Sequence, residues 1–192
     1  MIFPIVAFGH PNLRKIAQDI NKEYPDLDKL IDSMYESMYQ SSGVGLAAPQ
    51  INKSIRLFVI DATPFSDEIP EPVDFKQVFI NAKIVERSGD DWTFTEGCLS
   101  VPGINEDVVR PSKIKIQYYD QHWEFHEEEL DGIPARIVQH EYDHLEGILF
   151  VDHLSALRKT LLKGKLMDIA HGKVKVDYRM IFPQLKKKKK RK

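Results

Sequence analysis

The stretch Gly132-Ile133-Pro134-Ala135-Arg136-Ile137-Val138-Gln139-His140-Glu141-Tyr142-Asp143-His144-Leu145-Glu146-Gly147 decides how the rest of the chain is read. Ile133, Ile137, His140, Glu141, His144 and, just beyond it, Ile148 recur at helical spacing and share one face. Proline is tolerated in a first helical turn and glycine commonly ends a helix, so Pro134 and Gly147 bracket the element. Two imidazoles four residues apart lie one above the other, close enough to share a metal ion. Glu141 lies about 100° round the wheel, where it can reach a water on that metal. These polar groups occupy the apolar stripe, not the wet face. The expected fold is therefore α+β, with antiparallel and mixed β-sheets wrapped around a central metal-binding helix over Pro134 to Glu146.

Other elements follow from periodicity. Leu27, Leu30, Ile31, Met34 and Met38 recur at helical spacing within Asp26 to Ser42, and Gly43 closes that run. Ile55 to Ile60, Val78 to Val85 and Lys113 to Tyr119 read as strands, with a Pro- and acid-rich loop from Thr63 to Asp74. Ser155 to Ala170 reads as a basic amphipathic helix, and Lys173 to Phe182 alternates loosely like a further strand. No repeat or linker divides residues 1–185, which are expected to form one catalytic domain.

Composition narrows the class. The chain has 192 residues, enough for a core without staples. Its 42 % hydrophobic and 29 % charged residues argue against a disordered or fibrous chain. No run approaches the roughly 20 apolar residues of a membrane span. The start, Met1 to Phe8, lacks a basic leader and carries Pro4, unlike a targeting peptide. The single cysteine, Cys98, excludes an internal disulfide and fits a reducing, cytoplasmic setting. The net charge of −2 hides an asymmetry: Lys186 to Lys192 are all basic, and without those seven charges the body stands at −9. Such a tail is either a solvated, disordered appendage or a tether to ribosomal RNA or another phosphate-rich surface.

A hydrolytic metal site needs three protein ligands and an open position. One peptidase pattern continues the histidine pair with a third histidine six residues on, but that position is Phe150. Another needs a downstream glutamate, and none follows Glu146. The search therefore turns upstream to Cys98, in Glu96-Gly97-Cys98-Leu99-Ser100, an irregular segment after a strand. A lone cysteine is more often a small buried hydrophobe, but beside an unfilled two-histidine site it becomes the favoured third ligand. His122 and His126 repeat the four-residue spacing in an alternating, strand-like segment. Strand geometry would put them roughly 13 Å apart, so they read as exposed face residues.

Three segments, Gly43-Val44-Gly45-Leu46-Ala47-Ala48-Pro49-Gln50, Glu96 to Ser100 and Gln139 to Gly147, together resemble the signature motifs of bacterial peptide deformylases. The start, Gly9-His10-Pro11-Asn12-Leu13-Arg14, is also similar to that family. The resemblance implies removal of the formyl group from N-formyl-methionyl nascent polypeptides, with release of formate. It implies that Cys98, His140 and His144 hold one divalent metal, natively Fe²⁺, with Zn²⁺, Ni²⁺ or Co²⁺ able to replace it. Water activated at the metal would attack the formyl carbon, with Glu141 as general base and then acid. Gln50 and the Leu99 N–H would stabilise the oxyanion.

Substrate contacts are read from shape. Val44, Gly45 and Gly97 offer slim backbone edges suited to pairing with an extended peptide. Ile133 and Ile137 either wall an apolar pocket for the methionine side chain or simply pack in the core, and the charge of Arg136 is expected at the pocket rim. The chain is expected to act as a monomer, with transient ribosome contact through its basic C-terminal helix and tail. Two other readings compete. A metallopeptidase lacks its third histidine or glutamate here, and an RNA-binding module with a structural metal would have no use for Glu141.

Overall fold

The computed structural model describes residues 1–64 and 74–183. The tail Lys186 to Lys192 and most of the Thr63 to Asp74 segment lie outside the described residues. The elements run β1 (Ile5–Val6), α1 (Leu27–Gln40), β2 (Gly45–Ala47), β3 (Leu57–Asp61), β4 (Lys76–Glu96), β5 (Glu106–Tyr119), β6 (Phe125–Asp131), α2 (Gly132–Leu145), α3 (Ala156–Ala170) and β7 (Met180–Ile181). Strands β2 to β6 pair in chain order as one antiparallel sheet, while β1 and β7 form a separate parallel pair.

Strand alternation sorts the side chains into two cores. Phe58, Ile60 and Phe79 face α2 with Ile114, Ile116 and Tyr118, and the rings of Phe58 and Phe79 stack 4.6 Å apart. The alternate residues Leu57, Val59, Val78 and Ile80 face α1, meeting Leu30, Ile31, Met34 and Met38. The methionine and leucine stripe of α1 is thus core, as its spacing implies. A third cluster gathers Val6, Leu13, Phe150, Val151, Leu162 and Ile169 beneath α3.

Helix α2 occupies the centre. Apart from Gly132, Pro134 and Tyr142 its residues are buried, and it packs on all five strands of the antiparallel sheet. It ends in a Schellman turn: Ile148 N–H reaches Asp143 O at 2.9 Å, and Gly147 takes φ +71°. Only glycine fits that position, because an added Cβ would lie 2.8 Å from the Arg14 carbonyl carbon.

The structure departs from the sequence reading in several places. Strand β4 runs from Lys76 to Glu96, far beyond Val85, and its pairing with β5 shifts register between Ile80 and Lys83, Ile84 and Glu86, and Ser88 and Asp91. These bulges let an interrupted, polar stretch stay in one strand and curl it toward α2. His122 is not on a strand. It sits in a turn where the Asp120 carboxylate accepts from the N–H groups of His122 and Glu124, and β6 starts only at Phe125. Of Lys173 to Phe182, only Met180–Ile181 pairs as a strand.

Gly147→Ala should lower unfolding free energy by roughly 2 kcal/mol or more, through the combined cost of a left-handed alanine and a backbone clash. Denaturant titration of the two proteins measures it.

Candidate metal centre

Three chain segments meet at the buried face of α2. The turn Ala48–Ile51 carries Gln50, which is 1 % exposed. The Ala47 N–H donates to Gln50 Oε1 at 2.8 Å, which fixes the amide and turns its Nε2 toward Cys98 Sγ, 3.5 Å away, and Ser100 Oγ, 3.4 Å away. Strand β4 ends at Glu96, so the next residues leave the sheet and carry Cys98 across to α2. Cys98 Sγ lies 3.4 Å from His144 Nε2, and ligand atoms of Cys98, His140 and His144 all fall within 4.8 Å of one another. Phe150, the position where a third histidine would stand in a peptidase, instead stacks on the His140 ring at 6.0 Å.

The histidines are prepared as ligands. His140 Nδ1 is bonded to Glu96 Oε2 at 2.8 Å, which leaves Nε2 for a metal. Burial pulls the pKa of His144 down to about 3, helped by His140, so it stays a neutral imidazole. Its Nδ1 has no partner. One thiolate and two imidazoles form a soft donor set that fits a divalent transition metal with room for a further ligand.

Behind the ligands lies a buried ionic network that the sequence reading missed. Arg110 binds Glu96 through Nε at 2.7 Å and Nη2 at 3.0 Å, and reaches Asp143 Oδ2 with Nη1 at 2.7 Å. His153 meets the same Asp143 oxygen at 2.7 Å. Arg136 Nη1 donates to Glu96 Oε1 and to Val108 O, both at 3.1 Å, and its guanidinium lies over the Trp92 ring. Burial works against the charge on Glu96, but His140 and Arg110 outweigh it and hold the carboxyl well below the usual range. Burial likewise opposes Asp143, where His153 and Arg110 keep the pKa low. Arg136 does line the cleft, but its side chain is 3 % exposed and paired with Glu96, so its charge is taken up within the wall.

Glu141 stands apart from this network. It is 4 % exposed, its Oε2 has no partner among the described residues, and burial pushes its carboxyl up to about 7. It rests against the backbone of Gly45, where an added Cβ would come within 2.4 Å of Glu141 Oε1. A carboxyl with that pKa can both take and give a proton near neutrality.

The groups open onto a cleft of about 550 Å³, lined among others by Val44, Gly45, Gly97, Leu99, Ile137 and Glu141. Ile133 is not among its walls. It packs in the core with Val138 and Leu130. The cleft also takes Lys175 to Tyr178, and the Tyr178 hydroxyl donates to Leu99 O at 2.8 Å. Nothing local in the sequence marks Tyr178. Asp143 did carry a signal: an acid beside a metal ligand on a buried helix needs a cation from elsewhere.

The comparisons with known proteins agree on one family. The family model for polypeptide deformylase matches residues 2–160. A peptide deformylase of Christiangramia forsetii is 51 % identical, the match covering 97 % of this chain and 99 % of the relative. One of Cytophaga hutchinsonii is 53 % identical, over 95 % and 98 %. The crystal structure of a peptide deformylase from Legionella pneumophila superposes with a TM-score of 0.78 at 38 % identity, covering 90 % of this chain and 98 % of that one.

Glu96 yields a pH dependence. Its folded pKa is depressed below the ordinary 4.5, so its contribution is full above that value and is lost as pH falls below it. Glu96→Gln should cost about 3 kcal/mol at neutral pH by leaving Arg110 and Arg136 buried with a neutral partner. The difference between variant and wild type should shrink steadily on acidification below pH 4.5, as denaturant melts at a series of pH values would record.

Proposed function

From the premise that the chain belongs to the polypeptide deformylase family, we propose that Cys98, His140 and His144 hold its metal, with Glu141 as the proton-transferring group. The family's members are metal-dependent hydrolases that remove the N-terminal formyl group from newly made polypeptides. The observation that carries the assignment is the buried Glu141 carboxyl, with a free Oε2 and a pKa near 7, beside the three candidate ligands.

A divalent ion bound there would supply Lewis-acid chemistry, lowering the pKa of water from about 15.7 toward 7. Glu141 would accept the water proton at Oε2 and return it to the leaving amine, freeing formate and the new N-terminus. Gln50 Nε2 is aimed past Cys98 by its bond from Ala47 and would donate to the oxyanion. The Cys98 carbonyl accepts from Val101 N–H at 2.9 Å. In a trans peptide the Leu99 N–H then points the opposite way, as a second donor.

Substrate binding follows the exposed backbone. Strand β2 is a sheet edge, and Val44 and Gly45 with Gly97 across the cleft would flank an extended peptide. Ile137 would meet the methionine side chain. For the ion we infer Fe²⁺, on the family resemblance and the thiolate–imidazole set, with zinc, nickel or cobalt as substitutes. The catalytic domain spans 1–185 and acts as a monomer in the cytoplasm, where one free thiol survives. Helix α3 displays Lys and Arg beside exposed Leu157 and Leu161, a surface suited to transient ribosome contact together with the tail.

Glu141→Ala should retain the metal and lower formate release from formyl-Met-Ala by 10²-fold or more. Unchanged turnover would remove Glu141 from the reaction. Gly45→Ala should likewise keep the metal yet lose activity, because its methyl group would displace the Glu141 carboxyl; parallel metal analysis and kinetics read both. Unformylated Met-Ala peptides should not be cleaved.

A further inference from the structure

The cleft does not end where the metal ligands do. Pro102, Gly103 and Lys175 line it and also line a neighbouring recess of about 280 Å³, so the two hollows adjoin. That recess carries Lys165 from α3, and Lys173 and Lys175 from the segment leading to β7. Asp168 offsets one of these, lying 3.4 Å from Lys173, whereas Lys165 and Lys175 form no ion pair among the described residues. The recess thus holds an excess positive charge on a body that is otherwise acidic, −9 over residues 1–185.

The backbone presents this charge outward by simple alternation. From Lys173 to Tyr178 exposure alternates residue by residue, with Val174, Val176 and Tyr178 turned inward and Lys173, Lys175 and Asp177 outward. Tyr178 anchors the segment by its bond to Leu99 O, and β7 anchors it by pairing with β1. Asp177 lines only the catalytic cleft, Lys175 both hollows, and Lys165 and Lys173 only the recess. Charge therefore changes sign along the path leaving the metal. The segment also lies beyond residues 2–160, the part matched by the family model.

We propose that Lys165, Lys173 and Lys175 form a specificity shelf that favours substrates with acidic residues some way downstream of the formyl-methionine. The inference rests on the reading of the cleft as the formyl-peptide site. A peptide leaving that cleft in extended form advances about 3.3 Å per residue and would cross the shelf within a few residues. A nucleic acid is the less favoured occupant, because the recess shares three residues with the peptide cleft and its lysines are interrupted by Asp168.

The test compares kcat/KM for formyl-Met peptides in which Asp, Ala or Lys is walked through the third to sixth residue, on the metal-loaded full chain. At low salt, Asp should be favoured over Ala by about fivefold at one or more positions, and 0.5 M salt should shrink the ratio. Lys165→Gln, Lys173→Gln and Lys175→Gln together should bring the Asp-to-Ala ratio near one. Using a ratio within each enzyme cancels any general loss of activity. No Asp preference in the wild type, or a preference the triple variant keeps, overturns the shelf. So does weaker heparin retention of the variant with an unaltered peptide ratio, which would assign the lysines to a polyanion. Formate release from formyl-Met-Ala by the wild type checks the underlying reading separately.

Discussion

One buried carboxylate organises the molecule. Glu96 faces Arg110, Arg136 and His140 at hydrogen-bond distance, and these residues come from β4, β5 and α2. Burying so many charges costs several kcal/mol per ion and is offset only when every partner is in place. Apolar packing between α2 and the sheet would tolerate small rotations and slips. The ionic contacts allow one orientation, in which the free nitrogen of His140 and that of His144 face the Cys98 sulfur. The same network that orients α2 thereby sets the geometry of the three candidate ligands.

What could be read from the chain divides along distance in sequence. The helix over Gly132–Leu145, its buried polar face and the stripe of α1 are local periodicities, and they stand in the structure as read. Elimination pointed to Cys98, since the downstream positions could not complete a site, and its sulfur lies within 4.8 Å of both histidines. The full length of β4 was not legible, because Glu86 to Asp91 lacks apolar alternation and is held only by bulged pairing with β5. Arg110 gave no local sign of its role; its partners sit fourteen residues before it, at Glu96, and well after it, at Asp143. Ile133 was misplaced because helical spacing gives a face but not which turn of that face meets the cleft, and spacing could not show that Glu96 takes up the charge of Arg136.

Glu141 illustrates the opposite economy. Every other buried ion at the site is paired, yet this carboxyl keeps one oxygen without a partner and lies against a glycine. An unsatisfied buried acid destabilises a fold, and natural proteins keep such groups chiefly where chemistry needs them. Gly45 therefore leaves room for a carboxyl and also keeps the edge of the cleft slim. Two demands converge on Gly45.

The parallel pairing of β1 with β7 has a temporal side. Ile5 and Val6 are made long before their partners Met180 and Ile181, which follow 175 residues later in the chain. Between them the antiparallel sheet and α2 can already assemble. Only when the late segment docks does Tyr178 reach Leu99 and give the cleft its final wall. Until that segment has been made the chain carries an unfinished cleft, and the docking of β7 on β1 and the closing of the cleft wall become a single event.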